Sequence, residues 1–95
     1  MSEDIKFDLA AERLKAIAHP KRMKIISYLN ENGESNISTI QSIMGLPQPT
    51  LSQHLSKLQK SGLLIRKKIR TEVFYSLEQN ELIDSINKIC KLSLD

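Results

Sequence analysis

A mainly α-helical chain carrying one small β-hairpin, an α+β arrangement of order ααααββα, is what this sequence predicts. Three observations lead there. Aromatic residues make up only 4% of the 95 residues and tryptophan is absent, so the core must be built from Ile and Leu, which suits packed helices better than a sheet sandwich. Apolar residues recur at steps of three to five through most of the chain, as on one face of a helix. After Gly62 that spacing gives way to "LLIRKKI" and "EVFYSL". These are short segments rich in β-branched and aromatic residues, separated by Arg70-Thr71, and they read as a hairpin.

The elements follow in order. From Asp4 to Ile17 the residues Ile5, Leu9, Leu14 and Ile17 alternate with Asp8, Glu12 and Lys15, which predicts an amphipathic first helix. Pro20 disfavours helical geometry at His19 and suits the first turn of a new helix, so His19 is expected to open that helix rather than to bind a ligand. The second helix should run to about Glu31, bury Met23, Ile26 and Leu29, and end at Asn32-Gly33. Asn36 is the expected N-cap of a short third helix with Ile37, Ile40, Ile43 and Met44 as its apolar stripe, closed by Gly45. A turn at Gly45-Leu46-Pro47 leads into the fourth helix, where Pro49 is tolerated because first-turn amides have no intrahelical acceptor.

The fourth helix can be resolved face by face at 100° per residue. Leu51, Leu55 and Leu58 share the side that must be buried. The opposite side presents Pro49, Gln53, Ser56 and Lys60, flanked by Gln48, Thr50, Ser52 and Lys57, with no large apolar residue among them. Hydrogen-bonding tips near the N-terminal half suit base edges, and lysines near the C-terminal half suit phosphates. Gln48, Pro49, Thr50, Ser52, Gln53 and Ser56 are therefore the candidate base readers. His54, at the margin of the leucine stripe, is assigned to structure or to the DNA backbone. Lys57 and Lys60 join it there, with Arg66, Lys67, Lys68 and Arg70 of the hairpin. Helix, turn, helix and basic hairpin together make a winged helix-turn-helix, whose wing sets cations on the phosphates or in the minor groove.

Charge supports that assignment through its distribution rather than its sum of +3. No acid lies between Glu34 and Glu72, whereas six of the 14 bases do. A basic segment inside a near-neutral chain is the footprint of a nucleic-acid surface. Other classes fit poorly. No apolar run approaches the roughly 20 residues of a bilayer-spanning helix, no signal segment opens the sequence, and one cysteine, Cys90, cannot form an intrachain disulfide. A soluble, cytoplasmic protein without cofactor or metal is expected. Serines are plentiful, but no nucleophile elbow or phosphate-cradling Gly-rich loop accompanies them, which argues against an enzyme. A winged helix that binds an acidic protein partner is the other reading. It is disfavoured because the outward face of the fourth helix lacks the aromatic or apolar anchors of a protein interface.

The last segment, residues 80–94, carries Leu82, Ile83, Ile86, Ile89, Cys90 and Leu94 on one broad face, with acids early and lysines late as the helix dipole favours. A chain this short has a core of modest stability. We expect one domain over residues 1–95, paired as a symmetric homodimer through the terminal helices, 4–17 and 80–94. Ile5 and Leu9 would face Leu82, Ile83, Ile86, Ile89 and Cys90. Cys90 is expected to pack as a small apolar residue. The sharper alternative, two Cys90 thiols meeting across the dimer axis as a redox switch, would show as a dimer band on non-reducing electrophoresis after mild oxidation.

The stretches "LKAIAHPKRMKIISYL", "LPQPTLSQHLSKLQKSGLL" and "VFYSL" resemble the ArsR/SmtB family of dimeric bacterial winged-helix repressors, over about residues 10–90. The order Pro20, Arg22, Ile25, then Ser52, His54, Leu55, Leu58, Gly62 and Leu63 is the specific part. The resemblance implies an operator-binding homodimer that represses transcription, with the fourth helix as reader. Many members sense metal or arsenic through a Cys-x-Cys pair opening the third helix, where this chain has Asn36 and Ser38; neither offers a thiolate. Others bind zinc between paired last helices through Asp, His and His or Glu, but here that segment has no histidine, and Glu81 with Asp84 makes a poor zinc site. The chain is thus most similar to the metal-blind members that regulate toxin genes. At the wing tip the family usually has glycine and this chain has Arg70, so a looser tip is expected.

Overall fold

The computed structural model describes residues 3–79 and 81–92. The chain runs α1 (Glu3–Ile17), α2 (Pro20–Asn32), β1 (Ser35–Asn36), α3 (Ile37–Met44), α4 (Gln48–Lys60), β2 (Leu64–Ile69), β3 (Glu72–Leu77) and α5 (Glu81–Leu92). Asn80 and Leu94, which the sequence places in the last helix, lie outside the described residues. The helix boundaries have visible causes. His19 is extended and caps α2 by accepting the Lys21 N–H on Nδ1 at 3.1 Å, with Pro20 in the first turn. Asn36 caps α3 by accepting the Thr39 N–H at 2.8 Å. Gly45 ends α3 in the left-handed conformation, φ 64, and donates its N–H to the Gln41 carbonyl, a geometry that any β-carbon would strain.

One continuous core joins these elements. Leu51, Leu55 and Leu58 of α4 are wholly buried, as the helical periodicity predicts, against Ile25, Ile26 and Leu29 of α2 and Ile40 and Met44 of α3. Leu63, Leu64, Tyr75 and Leu77 close the core from the hairpin side. Each fully buried Leu or Ile contributes about 1.5–3 kcal/mol, so α4 is held on its scaffold by its three leucines.

Several expectations need correction. The sheet has three strands in the order β1-β3-β2, all antiparallel, because Ser35 and Asn36 pair with Tyr75 and Phe74. Two residues are too few to carry a strand period, and Asn36 also serves as a helix cap. In α1 only Ala16 and Ile17 are buried, and Ile5, Leu9 and Leu14 stay about half exposed. Leu14 lies nine residues after Ile5, 180° round the helix, so it cannot share a stripe with Ile5 and Leu9. Ile43 is likewise exposed, and Met23 is only partly buried. In α5, Ile83 and Ile86 are 0% and 3% exposed within the protomer. They have no surface left to offer a partner, whereas Ile89 is exposed and Leu82 and Cys90 lie partly buried against the core.

The wing tip is tight rather than loose. Ile69 pairs directly with Glu72, leaving Arg70-Thr71 as a two-residue turn, and Arg70 takes φ 57. A left-handed non-glycine residue costs about 1–2 kcal/mol, part of which glycine's greater freedom when unfolded would offset. Arg70→Gly is therefore expected to raise the unfolding free energy by about 0.5–1 kcal/mol in urea denaturation. An equal or lower midpoint would mean that the arginine is held there by compensating contacts.

Candidate nucleic-acid interface

The buried leucines turn the other side of α4 to solvent. Gln48, Pro49, Thr50, Ser52 and Gln53 are exposed along its first two turns, Ser56 is partly buried, and Lys57 and Lys60 are exposed near its end. Arg66, Lys67, Lys68 and Arg70 are all exposed on the wing. Successive strand residues point to opposite faces, and the register separates these cations. Arg66 lies opposite Tyr75 and Lys68 opposite Val73, on the face that also carries buried Leu64 and Leu77. Lys67 lies opposite Phe74, on the reverse face with the exposed Ile65 and Ile69. A groove of about 480 Å³ runs between α4 and the wing, and Gln48, Ser52, Arg66 and Tyr75 line it, with Asn36 and Ser38 at the start of α3. The wing and the recognition helix thus share a cleft, and Arg66 is the wing cation that enters it.

His54 lies on the flank of α4 toward α2. Its ring centroid is 4.6 Å from that of His19, the planes tilted by 53°. Burial holds its pKa below the ordinary 6.5, helped by repulsion from His19, Arg22, Lys57 and Lys21. The folded state therefore binds the His54 proton less readily than the unfolded state does. The stability this contributes is complete above pH 6.5 and declines as pH falls below it. His54→Gln should flatten that acid limb in chemical denaturation between pH 7 and 5; an unchanged pH profile would remove His54 as its cause.

Arg22 figures in the family resemblance, but sequence reasoning gives it no structural role. It is 9% exposed and donates to the Ala16 carbonyl at 2.9 Å, tying the end of α1 to α2. The signal was available. Arg22, Ile25, Ile26 and Leu29 follow the i, i+3, i+4, i+7 pattern of a buried face, but a cation in such a stripe reads as an interruption. Asn36 is committed to capping α3, and among the described residues no group of three or more His, Cys, Asp or Glu side chains is placed to hold a metal.

A polar helix face seated on a leucine stripe, beside a three-stranded basic wing, defines a winged helix-turn-helix DNA-binding transcriptional regulator. Residues 19–66 match the arsR family of bacterial regulatory proteins. The transcriptional repressor PagR of Bacillus anthracis is 39% identical over 79 residues, 83% of this chain and 78% of PagR. Its crystal structure superposes with a TM-score of 0.80 at 34% identity, over 92% of this chain and 99% of that one. HlyU from Vibrio cholerae, a transcriptional activator, is 35% identical over 83% of this chain and 72% of its own length. Its structure gives a TM-score of 0.83 at 32% identity, covering both chains fully. A homodimeric winged helix-turn-helix domain from Mycobacterium bovis has the same fold, with a TM-score of 0.85 at 22% identity over 98% of this chain and 87% of that domain. The chain belongs to the arsR family; it is a regulator of transcription, not an enzyme.

Proposed function

We propose that the protein is a cytoplasmic homodimer that reads an inverted-repeat operator without sensing metal, and that it represses the genes it controls. One observation carries the reading: the face of α4 that leaves the core carries no large apolar residue and shares a cleft with Arg66 of the wing. Gln48, Pro49, Thr50, Ser52, Gln53 and Ser56 read bases, and His54, Lys57, Lys60, Arg66, Lys67, Lys68 and Arg70 meet the backbone. Dimerisation is supported by the apolar side chains that the protomer leaves uncovered. Ile5, Leu9 and Ile89 are each about half exposed, and apolar side chains exposed on both terminal helices suit a shared interface. Metal independence rests on Asn36 and Ser38, which supply no thiolate. A cytoplasmic location suits a protein that reads an operator, and no described helix is long and apolar enough to cross a membrane.

Selection from randomised duplex DNA with a chelator present tests this. Enrichment of an inverted repeat is expected; rescue of binding only by added metal would overturn metal independence. On the selected site, Gln53→Ala should change base preference by about 1–3 kcal/mol at one position. Arg66→Ala should weaken all duplexes alike and reduce the salt slope by about one, more than Lys67→Ala does from the reverse face of the wing. Equal losses on cognate and random DNA for Gln53→Ala would remove it from the readers.

A further inference from the structure

An arginine as buried as Arg22, 9% exposed as a residue, ordinarily has a counter-anion. Among the described residues no carboxylate pairs with it, and its Nε has no acceptor. The carbonyl of Ala16, in the last turn of α1, offers only the partial charge of a helix C-terminus. Arg22 borders a crevice of about 320 Å³ between the end of α1, the start of α2 and the C-terminal half of α4. Its other walls bear Lys15, Lys57 and Lys60, with Ser61. Four basic residues thus line the crevice with one acid, Glu12, which lies 3.8 Å from the Lys15 ammonium. Like charges on flexible side chains spread apart in water unless something between them is negative. The repulsion that His54 feels from Arg22 and Lys57 shows that the same charges act on the flank of α4.

We propose that this crevice binds a phosphate-type oxyanion, held by Arg22, Lys15, Lys57 and Lys60. The anion is either a backbone phosphate of the bound operator or the phosphoryl group of a free small molecule. Either occupant links α1, which carries the half-exposed Ile5 and Leu9, to the recognition helix. A free anion would also draw Lys57 and Lys60 from the DNA backbone, giving the regulator an input that needs no metal. This inference rests on α4 being the DNA reader.

The test begins without DNA. The full chain is titrated with sodium sulfate, with sodium chloride exchanged to hold ionic strength constant, and the Arg22 Nε–H and Ser61 amide signals are followed by NMR. Saturable shifts are expected. Arg22→Lys, which loses the fork of donors, should weaken sulfate about tenfold. Because it also loses the bond to Ala16, a second variant is needed: Lys15→Gln, whose side chain is 77% exposed and which has no assigned DNA contact, should weaken sulfate about threefold. Linear shifts that match those with chloride, or one midpoint for all three proteins, overturn the site. The titration is then repeated with the selected operator bound. Complete exclusion of sulfate at saturating operator assigns the site to a backbone phosphate. A weakened but still saturable sulfate affinity, with operator affinity weakened by the same factor, assigns it to a free anion. Sulfate binding indifferent to operator overturns the link to the recognition helix. Failure in the first titration leaves the operator reading standing, and failure to select an operator leaves the sulfate result standing.

Discussion

Leu55→Ala is expected to lower the unfolding free energy by about 2–5 kcal/mol. Leu55 is fully buried at the centre of the α4 stripe, between Leu51 and Leu58, and touches the core that α2, α3 and the hairpin share. Truncation removes apolar surface and leaves a cavity among elements that cannot collapse onto it, and small domains have only about 5–15 kcal/mol to lose. Ser52→Ala, three residues away on the exposed face, should stay within about 0.5 kcal/mol. The pair is a test of helix rotation. A Leu55→Ala protein with an unshifted urea midpoint would mean that α4 is turned so that its polar residues do not face outward, and the assignment of base readers would fall with it.

The second large effect concerns assembly. Leu9→Glu combined with Ile89→Glu places carboxylates on two apolar side chains, 49% and 53% exposed, so the protomer has no reason to unfold. Charges in an apolar dimer seam are costly, and sedimentation should shift from dimer to monomer. Operator affinity should then fall by about 10²–10⁴, the gain that linking two half-site readers supplies. Ile83→Glu distinguishes interface from core. Ile83 is wholly buried in the protomer, so that variant should unfold rather than dissociate. A doubly substituted protein that still sediments as a dimer with full operator affinity would remove the terminal helices from the interface.

What could be seen in advance was what depends on neighbours in sequence. The helix entry at His19, the cap at Asn36, the stop at Gly45, the leucine stripe of α4 and the hairpin around Arg70-Thr71 all follow from local spacing and residue chemistry. What escaped depends on partners distant in sequence. Ser35 and Asn36 become a strand only because Tyr75 and Phe74 lie alongside. Arg22 is buried because the end of α1 accepts its hydrogen bond. Ile83 and Ile86 look like an interface from their periodicity alone, yet α5 turns them into the protomer core.

By itself the sequence determined the order of the elements, the polar face of the recognition helix and the basic wing, because amphipathic periods and capping side chains act within a few residues. Only the tertiary structure decided which apolar stripe the protomer uses and which it leaves uncovered. It also decided which wing cation enters the cleft beside α4, and that a buried arginine gathers with three lysines around one crevice. Burial, strand register and charge convergence are properties of pairs brought together across the chain, and no local pattern encodes them.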